Sequence, residues 1–203
     1  MSATRVAIID GGGANIASLR FALERLAVDS ELTVDIDTIR SASHVILPGV
    51  GAAADAMNRL RNAGLDRVIP ELTQPVLGIC LGLQLLFEAS DEDDAECLGV
   101  LRGTARQFEA VADRPVPHMG WNQIARTNGS SGVGLLKDIP DGAYFYFVHS
   151  YALDVSAITA ASADYGWEFS AVVRQNNFVA TQFHPERSGA HGAALLNNFL
   201  TCD

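Results

Sequence analysis

The segment Gly78-Ile79-Cys80-Leu81-Gly82 places a cysteine between two glycines, where an apolar run at 75–79 meets a helical run at 83–87. A strand that turns abruptly into a helix in this way is a nucleophile elbow, here with sulfur in place of a serine oxygen. Glycine is needed on both sides because a side chain there would collide with neighbouring backbone. The positive end of the following helix favours a thiolate at Cys80 and stabilises an oxyanion. On these five residues alone, a small buried cysteine at a strand end explains the sequence equally well.

Outside the elbow, the first half of the chain alternates strand and helix patterns. The apolar runs at 5–9 and 45–47 are followed by apolar residues at helical spacing, at 16–26 and 53–60. This order predicts βαβ units around a buried parallel sheet. We expect the first helix to end at an acidic turn at Asp29, and residues 91–96 to form an acidic loop.

The second half of the chain changes character after Leu98. Short β-type segments at 144–148, 171–174 and 178–183 are separated by Gly, Asn and Asp. We expect them to add antiparallel strands to the parallel core, and we expect a final amphipathic helix at about residue 189 to 200. The sequence contains no linker or repeat, so it predicts a single domain over residues 1–203.

The composition excludes several classes of partner and site. The chain has 203 residues, 48% of them hydrophobic, and a formal net charge of -10 without a run of Lys or Arg. A basic surface that binds phosphate groups is therefore not expected, which argues against nucleic acid and anionic membrane partners. Cys80, Cys97 and Cys202 are too widely spaced for a zinc ribbon or redox motif, and no stretch is long enough to span a membrane. We expect free thiols in a cytoplasmic protein.

A nucleophile requires a base, and only one of the five histidines has its own carboxylate, in Gln182-Phe183-His184-Pro185-Glu186. A residue before proline is biased towards extended backbone, in which positions i and i+2 point the same way. Glu186 can then orient the imidazole of His184 towards sulfur. Alone, a His-Pro-Glu tripeptide is more often a surface His and Glu that flank a turn. Together with the elbow, it favours a catalytic triad. We expect the histidines at 44, 118, 149 and 191 to serve packing or loop hydrogen bonds.

The loop Pro48-Gly49-Val50-Gly51 ends a predicted strand with two glycines. Such a loop can turn a peptide N–H inward, at the carboxyl edge of the sheet where open α/β folds bind ligands. It is a candidate second oxyanion donor, and an ordinary strand-to-helix turn is nearly as good an interpretation. The glycines at 11–13 lack the spacing of a nucleotide-binding loop.

Together these motifs resemble class I glutamine amidotransferases over essentially the whole chain, with GICLGLQ as the elbow and FHPE as the His-Glu segment. Four segments are similar to the glutaminase subunits of imidazole glycerol phosphate synthases: LPGVGAA at 47–53, PHMGWNQ at 117–123, YFYFVHSY at 144–151 and QFHPERSG at 182–189. The resemblance implies a three-layer α/β fold with a mostly parallel sheet and antiparallel additions. It also implies glutamine hydrolysis without a metal or cofactor.

The resemblance implies a role for each motif residue. Cys80 would attack the glutamine carboxamide, His184 would protonate the departing ammonia, and Glu186 would keep the imidazole aligned. The oxyanion would be bound by the N–H of Leu81 and a turned peptide at Val50 or Gly51. The amino-acid end of glutamine would be held by Gln84, Gly51 and the backbone of His149, Ser150 and Tyr151.

The resemblance further implies a heterodimer with a (β/α)8-barrel cyclase that receives the ammonia. Its candidate contacts and ammonia route are Asn15, Trp121, Tyr146 and Arg187, the last standing where many family members have Lys. Tyr146 could equally be a core aromatic. Three alternatives are a glutaminase serving another synthase, a non-catalytic subunit of the same fold, and a cysteine peptidase or chaperone. The HMGWN and YFVHSY segments argue against the first, and the intact triad argues against the second.

Overall fold

The computed structural model describes residues 4–12, 16–127 and 134–201. The helices are α1 (Ile16–Arg25), α2 (Ile36–Ser41), α3 (Ala53–Asn62), α4 (Leu65–Val68), α5 (Leu81–Leu85) and α6 (Gly189–Thr201). The strands are β1 (Arg5–Ile9), β2 (Asp29–Thr33), β3 (His44–Gly49), β4 (Val76–Cys80), β5 (Ala89–Ser90), β6 (Ala95–Glu96), β7 (Thr104–Gln107), β8 (His118–Gln123), β9 (Ala125–Arg126), β10 (Tyr144–His149), β11 (Tyr151–Ala152), β12 (Thr159–Asp164), β13 (Glu168–Gln175) and β14 (Phe178–Thr181). Single 3-10 turns lie at Ile69–Glu71, Glu92–Asp94 and Pro185–Arg187.

The central sheet has eight strands in the order β2-β1-β3-β4-β14-β13-β12-β9. The first five are mutually parallel, and β13, β12 and β9 continue the sheet antiparallel. This confirms the predicted fold class of a parallel core with antiparallel additions. Two smaller sheets, β10-β8 and β11-β7-β5-β6, lie outside it.

Both faces of the sheet are buried. Along β1, Val6 and Ile8 belong to one apolar cluster, and Ala7 and Ile9 belong to the other. Helices α1 and α6 contribute to the first cluster and α2 to α5 to the second, which makes three layers. Strands covered on both sides read as continuous apolar runs, which is why β1, β3 and β4 are visible in the sequence.

Three sequence predictions were wrong in detail. Asp29 begins strand β2 instead of ending the helix in a turn, because β2 (DSELT) is an edge strand with alternating exposure and no apolar run. The helix after the elbow has only five residues, and the following Leu86 and Phe87 are buried as non-helical chain in the second cluster. The predicted acidic loop at 91–96 includes a 3-10 turn and strand β6. None of the helices in the described chain is long and apolar enough to cross a bilayer.

Candidate active site

The predicted elbow is present and strained. Cys80 ends β4, α5 begins at Leu81, and the backbone of Cys80 has φ 54° and ψ -110°. A side chain on Gly78 would place its Cβ 2.8 Å from the carbonyl oxygen of Gly82, and one on Gly82 would come 1.8 Å from that of Leu47. The close approach confirms why glycine is required on both sides of the cysteine. A left-handed φ on a non-glycine residue costs energy that the surrounding packing must offset, and such strain is concentrated at functional sites.

The His-Glu pair also forms, by a different backbone path from the predicted one. Nδ1 of His184 lies 2.8 Å from Oε1 of Glu186, and both side chains are 2% exposed. His184 itself is extended, but Glu186 lies in the 3-10 turn Pro185–Arg187, so an extended i, i+2 geometry does not explain the contact. The backbone N–H of His184 donates to the carbonyl oxygen of Tyr146 at 2.9 Å, which fixes the turn to β10.

The imidazole of His184 has a perturbed pKa. Burial acts to lower it, but contact with the Cys80 sulfur and the Glu186 carboxylate outweighs burial and raises the pKa to about 10. No hydrogen bond joins Sγ to Nε2 in this arrangement, because the thiol donates to the carbonyl oxygen of Val148 at 3.6 Å. The sulfur lies beside the imidazole but is not hydrogen-bonded to it. The thiol must therefore turn before it can transfer its proton to Nε2 of His184.

A cavity of about 270 Å³ opens above the elbow. It is lined by the three predicted site segments, which come from distant parts of the chain: Val50 and Gly51, Cys80, Leu81 and Gln84, and His149, Ser150 and Tyr151, together with His184. The structure thus brings together the residues predicted for the nucleophile, oxyanion donors and substrate contacts. Its volume is near the lower end of the range for small-molecule sites.

Gln84 is placed differently from a simple substrate contact. Its side-chain Nε2 donates to the carbonyl oxygen of Tyr151 at 2.9 Å and to Oε1 of Gln182 at 3.2 Å. The amide nitrogen is thus used within the protein, where it holds the Tyr151 backbone at the cavity wall. A direct donor role for this amide towards a ligand would require those bonds to break.

His149 and His118 form a buried hydrogen-bond relay. The groups at the two ends of this relay determine which ring nitrogens carry protons. The Tyr151 carbonyl can only accept, so Nδ1–H of His149 donates to it at 2.8 Å. Nε2 of His149 then accepts from Nδ1–H of His118 at 2.9 Å, and Nε2 of His118 faces the amide nitrogen of Asn122 at 3.4 Å. Burial lowers the pKa of His118 to about 4 and that of His149 to about 3, so both rings are neutral. The relay matches the predicted role of loop hydrogen bonds.

Glu92 is a site residue that the sequence analysis missed. It lines the same cavity, and its Oε2 accepts a hydrogen bond of 2.8 Å from the backbone N–H of Ala53, in the first turn of α3. The preceding residue, Ala52, provides no side-chain cap. Burial raises the pKa of Glu92, and the bond from Ala53 opposes that shift. No local signal marks one carboxylate among the several at 91–96, because its contact lies 39 residues away.

Comparison with known proteins identifies the family. The model of the class-I glutamine amidotransferase family matches residues 8–202. The chain belongs to the class-I glutamine amidotransferase family. It is 51% identical over 197 residues to imidazole glycerol phosphate synthase subunit HisH of Xanthomonas axonopodis pv. citri, a match that covers 97% of each chain. The subunit of the same name from Xylella fastidiosa (strain Temecula1) is 48% identical and 98% of each chain is covered.

The amidotransferase fold is also found in solved structures that are distant in sequence. A chain of the PurLQS structure from Thermotoga maritima matches with a TM-score of 0.71 at 17% identity, over 98% of each chain. A similarity at this level of identity shows the fold alone. The three-layer architecture of this amidotransferase is therefore shared well beyond its near relatives.

Three of the four residues predicted for a partner contact of this amidotransferase lie together. Trp121 on β8 is 56% exposed and stands opposite Tyr146 on β10, with an edge-to-face ring distance of 6.2 Å. The Arg187 guanidinium lies 4.6 Å from the centre of the Tyr146 ring. Asn15, the fourth, lies outside the described residues. We call the cluster of Trp121, Tyr146 and Arg187 the aromatic face; it lies directly behind the catalytic segment, since His184 bonds to the Tyr146 backbone.

Proposed function

We propose that this chain is the glutaminase subunit of an imidazole glycerol phosphate synthase. It hydrolyses L-glutamine to L-glutamate and ammonia, and delivers the ammonia to a (β/α)8-barrel cyclase that forms imidazole glycerol phosphate and an aminoimidazole carboxamide ribonucleotide in histidine biosynthesis. The observation that carries the proposal is the buried His184–Glu186 pair beside the strained Cys80, at the base of the 270 Å³ cavity. The near-full-length similarity to HisH subunits supports the choice of synthase. We assign the activity to one domain, residues 1–203, in the cytoplasm.

The reaction begins when Cys80 turns from Val148 towards the imidazole. The thiolate attacks the carboxamide carbon of glutamine, and a C–S bond forms as the carbonyl π electrons move onto oxygen. His184 then gives its proton to the amide nitrogen, the C–N bond breaks, and ammonia leaves behind a glutamyl thioester. Neutral His184 next removes a proton from water, whose oxygen attacks the thioester carbon. The C–S bond then breaks, glutamate forms, and His184 returns the proton to the sulfur of Cys80. Glu186 holds the imidazole orientation throughout both halves.

The oxyanion requires donors aimed at the site of developing charge. The N–H of Leu81 is at the start of α5, directly after the nucleophile, where helix amides point outward. Val50 and Gly51 also line the cavity, and Gly51 has φ +91°, a conformation that glycine adopts without strain. One donor of this kind contributes about 3 to 4 kcal/mol to transition-state stabilisation in comparable sites.

The amino-acid end of glutamine carries one positive and one negative charge, and the cavity offers a partner for the positive one. Glu92 is half-buried in the wall, and its bond to Ala53 leaves one carboxylate oxygen for the α-ammonium group. The backbone of Ser150 and Tyr151, held by Gln84, supplies polar groups for the α-carboxylate end. Charge-assisted bonds in a partly buried site are stronger than neutral ones. The substrate is therefore selected at both ends.

The decisive experiment measures glutamate release from glutamine by the purified chain, alone and with the cyclase subunit and its ribonucleotide ligand. We expect slow hydrolysis alone, stimulation by the complete partner, and loss of both with Cys80→Ala. Cys97→Ala is the matched control, because Cys97 is also buried, yet burial raises its pKa to about 11 and its thiol bonds to the carbonyl oxygen of Ala95. Activity that survives Cys80→Ala, or rapid hydrolysis that ignores the partner, would contradict the proposal.

A further inference from the structure

Tyr146 on β10 is hydrogen-bonded to the catalytic segment through both of its backbone groups. Its carbonyl oxygen accepts from the N–H of His184 at 2.9 Å, and its N–H donates to the side-chain oxygen of Ser188 at 3.0 Å. The N–H and C=O of one strand residue point to the same side of the strand. The catalytic segment therefore lies along the edge of β10 that β8 does not occupy.

The hydroxyl of Ser188 is inserted between two backbone groups. It accepts from the N–H of Tyr146 and donates to the carbonyl oxygen of His184 at 2.7 Å. A serine hydroxyl can do both at once, because it has one donor hydrogen and two acceptor lone pairs. With the direct bond from His184 to Tyr146, these contacts close a ring of three hydrogen bonds that joins Tyr146, His184 and Ser188.

Ser188 is itself held firmly. Its side chain is buried, and its backbone N–H donates to the carbonyl oxygen of Pro185 at 3.1 Å. Its own carbonyl oxygen accepts from the N–H of Gly192 in α6 at 3.1 Å. The residue is thus fixed by the turn before it and by the helix after it. Its hydroxyl is aimed at the His184 carbonyl by backbone that cannot move independently.

The carbonyl group that Ser188 holds controls the geometry of the triad. Its direction is set by the ψ angle of His184, which is 96°, and this angle also sets how the chain enters the turn that carries Glu186. The 2.8 Å contact between Nδ1 of His184 and Oε1 of Glu186 depends on that entry. A buried carbonyl that loses its donor is costly, so the peptide would rotate towards another partner.

We propose that Ser188 is a positioning residue of the glutaminase reaction, whose hydroxyl holds the His184 peptide so that the imidazole and Glu186 keep their alignment beside Cys80; this rests on the proposed function. Ser188 lies outside the described lining of the glutamine cavity. It therefore acts on the proton transfers of His184 and leaves the contacts with glutamine in place.

The test is steady-state glutaminase kinetics of Ser188→Ala in the heterodimer with the cyclase and its ribonucleotide ligand. We expect kcat to fall roughly 10- to 100-fold, because a displacement of about 1 Å in a reacting group can cost that much. KM for glutamine is expected to stay at the wild-type value. Ser188→Cys keeps the side-chain volume with a weaker donor, so its kcat is expected to lie between the two.

Ser170→Ala is the matched control. Ser170 is also a fully buried serine whose hydroxyl donates to a backbone carbonyl, that of Asp154, at 2.8 Å, but it lies on β13. Its loss is expected to lower the free energy of unfolding and to leave kcat unchanged. An equal fall of kcat in Ser170→Ala would mean that general destabilisation explains the effect, and it would overturn the assignment.

A double-mutant cycle with Glu186→Gln separates positioning from a merely structural role. Because Ser188 acts through the same His184–Glu186 unit, the double variant is expected to be little slower than the slower single variant. Losses in kcat that multiply, or a wild-type kcat in either folded Ser188 variant, would overturn the assignment. A wild-type heterodimer that releases no glutamate would instead overturn the proposed function.

Discussion

Oε2 of Glu92 accepts a 2.8 Å hydrogen bond from the backbone N–H of Ala53, so one carboxylate joins the wall of the glutamine cavity to the start of α3. Ala53 directly follows the loop that contains Val50 and Gly51. The bond therefore fixes one end of the proposed oxyanion loop, while Gly49 at the other end packs against Leu81. In the proposed site, substrate binding and loop position therefore depend on the same side chain.

Glu92→Gln is expected to raise KM for glutamine in the heterodimer. The amide oxygen can still accept from Ala53, but the charge that holds the α-ammonium group is lost. A bond to a charged group contributes about 1.5 to 3 kcal/mol, so KM rises roughly 10- to 100-fold, with a smaller change in kcat. Steady-state kinetics measure both constants, and Asp93→Asn, an exposed neighbour, serves as the control. An unchanged KM would remove Glu92 from the substrate site.

Glu186→Gln is expected to move the alkaline limb of kcat/KM to lower pH. Burial lowers the pKa of His184, and contact with Cys80 and Glu186 raises it to about 10, so removing the Glu186 carboxylate lowers it again. The measurement is a pH series of kcat/KM from neutral to alkaline conditions. Glu71→Gln, which breaks an exposed pair with Arg40, is expected to leave the limb in place.

Acid is expected to destabilise the fold through the His118–His149 relay. Burial lowers the pKa of these rings to about 4 and about 3, below the unfolded value of 6.5. The unfolded chain therefore binds more protons in this window, and the free energy of unfolding falls as pH drops from about 6.5 towards 4, by up to about 1.4 kcal/mol per pH unit and ring. Urea unfolding at several pH values measures the slope. His118→Gln is expected to reduce it and His191→Gln is not; equal slopes would contradict this assignment.

Gly82→Ala is expected to destabilise the protein and displace the elbow. The new Cβ would lie 1.8 Å from the backbone oxygen of Leu47, which cannot move without β3. Overpacking of this kind costs about 1 to 3 kcal/mol or more. Gly64→Ala is the control without overpacking: Gly64 has positive φ, unlike Gly82, and open space around it, so only a backbone strain of about 1 to 2 kcal/mol applies. Equal losses in urea unfolding would show that the Leu47 contact is not limiting.

The parts of the site that the sequence predicted are those with local signals. The glycines that flank Cys80 lie within five residues of sequence, and so does the His-Pro-Glu segment. The close backbone approach at the glycines and the hydrogen bond between His184 and Glu186 both form. The buried strands were visible because a two-sided sheet makes continuous apolar runs. The edge strand β2 was missed because its residues alternate in exposure and carry charges.

Contacts between distant segments could not be predicted in this way. The bond between Glu92 and Ala53 spans 39 residues, and the bond of Gln84 to Tyr151 spans 67. Neither has a pattern along the chain, because each exists only after folding has brought the segments that follow β3 and β4 beside the small sheet β11-β7-β5-β6 and its connecting turn. The backbone path to Glu186 was wrong for a related reason: proline biases the residue before it and leaves the following turn undetermined.

Trp121→Ala is expected to weaken the complex with the cyclase. Trp121 is 56% exposed and braced by Tyr146, which in turn lies under Arg187, an arrangement of aromatic and Arg side chains typical of the centre of an interface. Loss of such an anchor costs about 2 kcal/mol or more, which is roughly a 30-fold rise in Kd. Isothermal calorimetry with the purified cyclase measures the change, and Val155→Ala, at another exposed apolar position, is the control. A variant with the wild-type Kd would show that the aromatic face is not the docking surface. A weakened complex whose glutaminase rate recovers at high cyclase concentration would instead place Trp121 in docking and leave the triad as the separate catalytic unit.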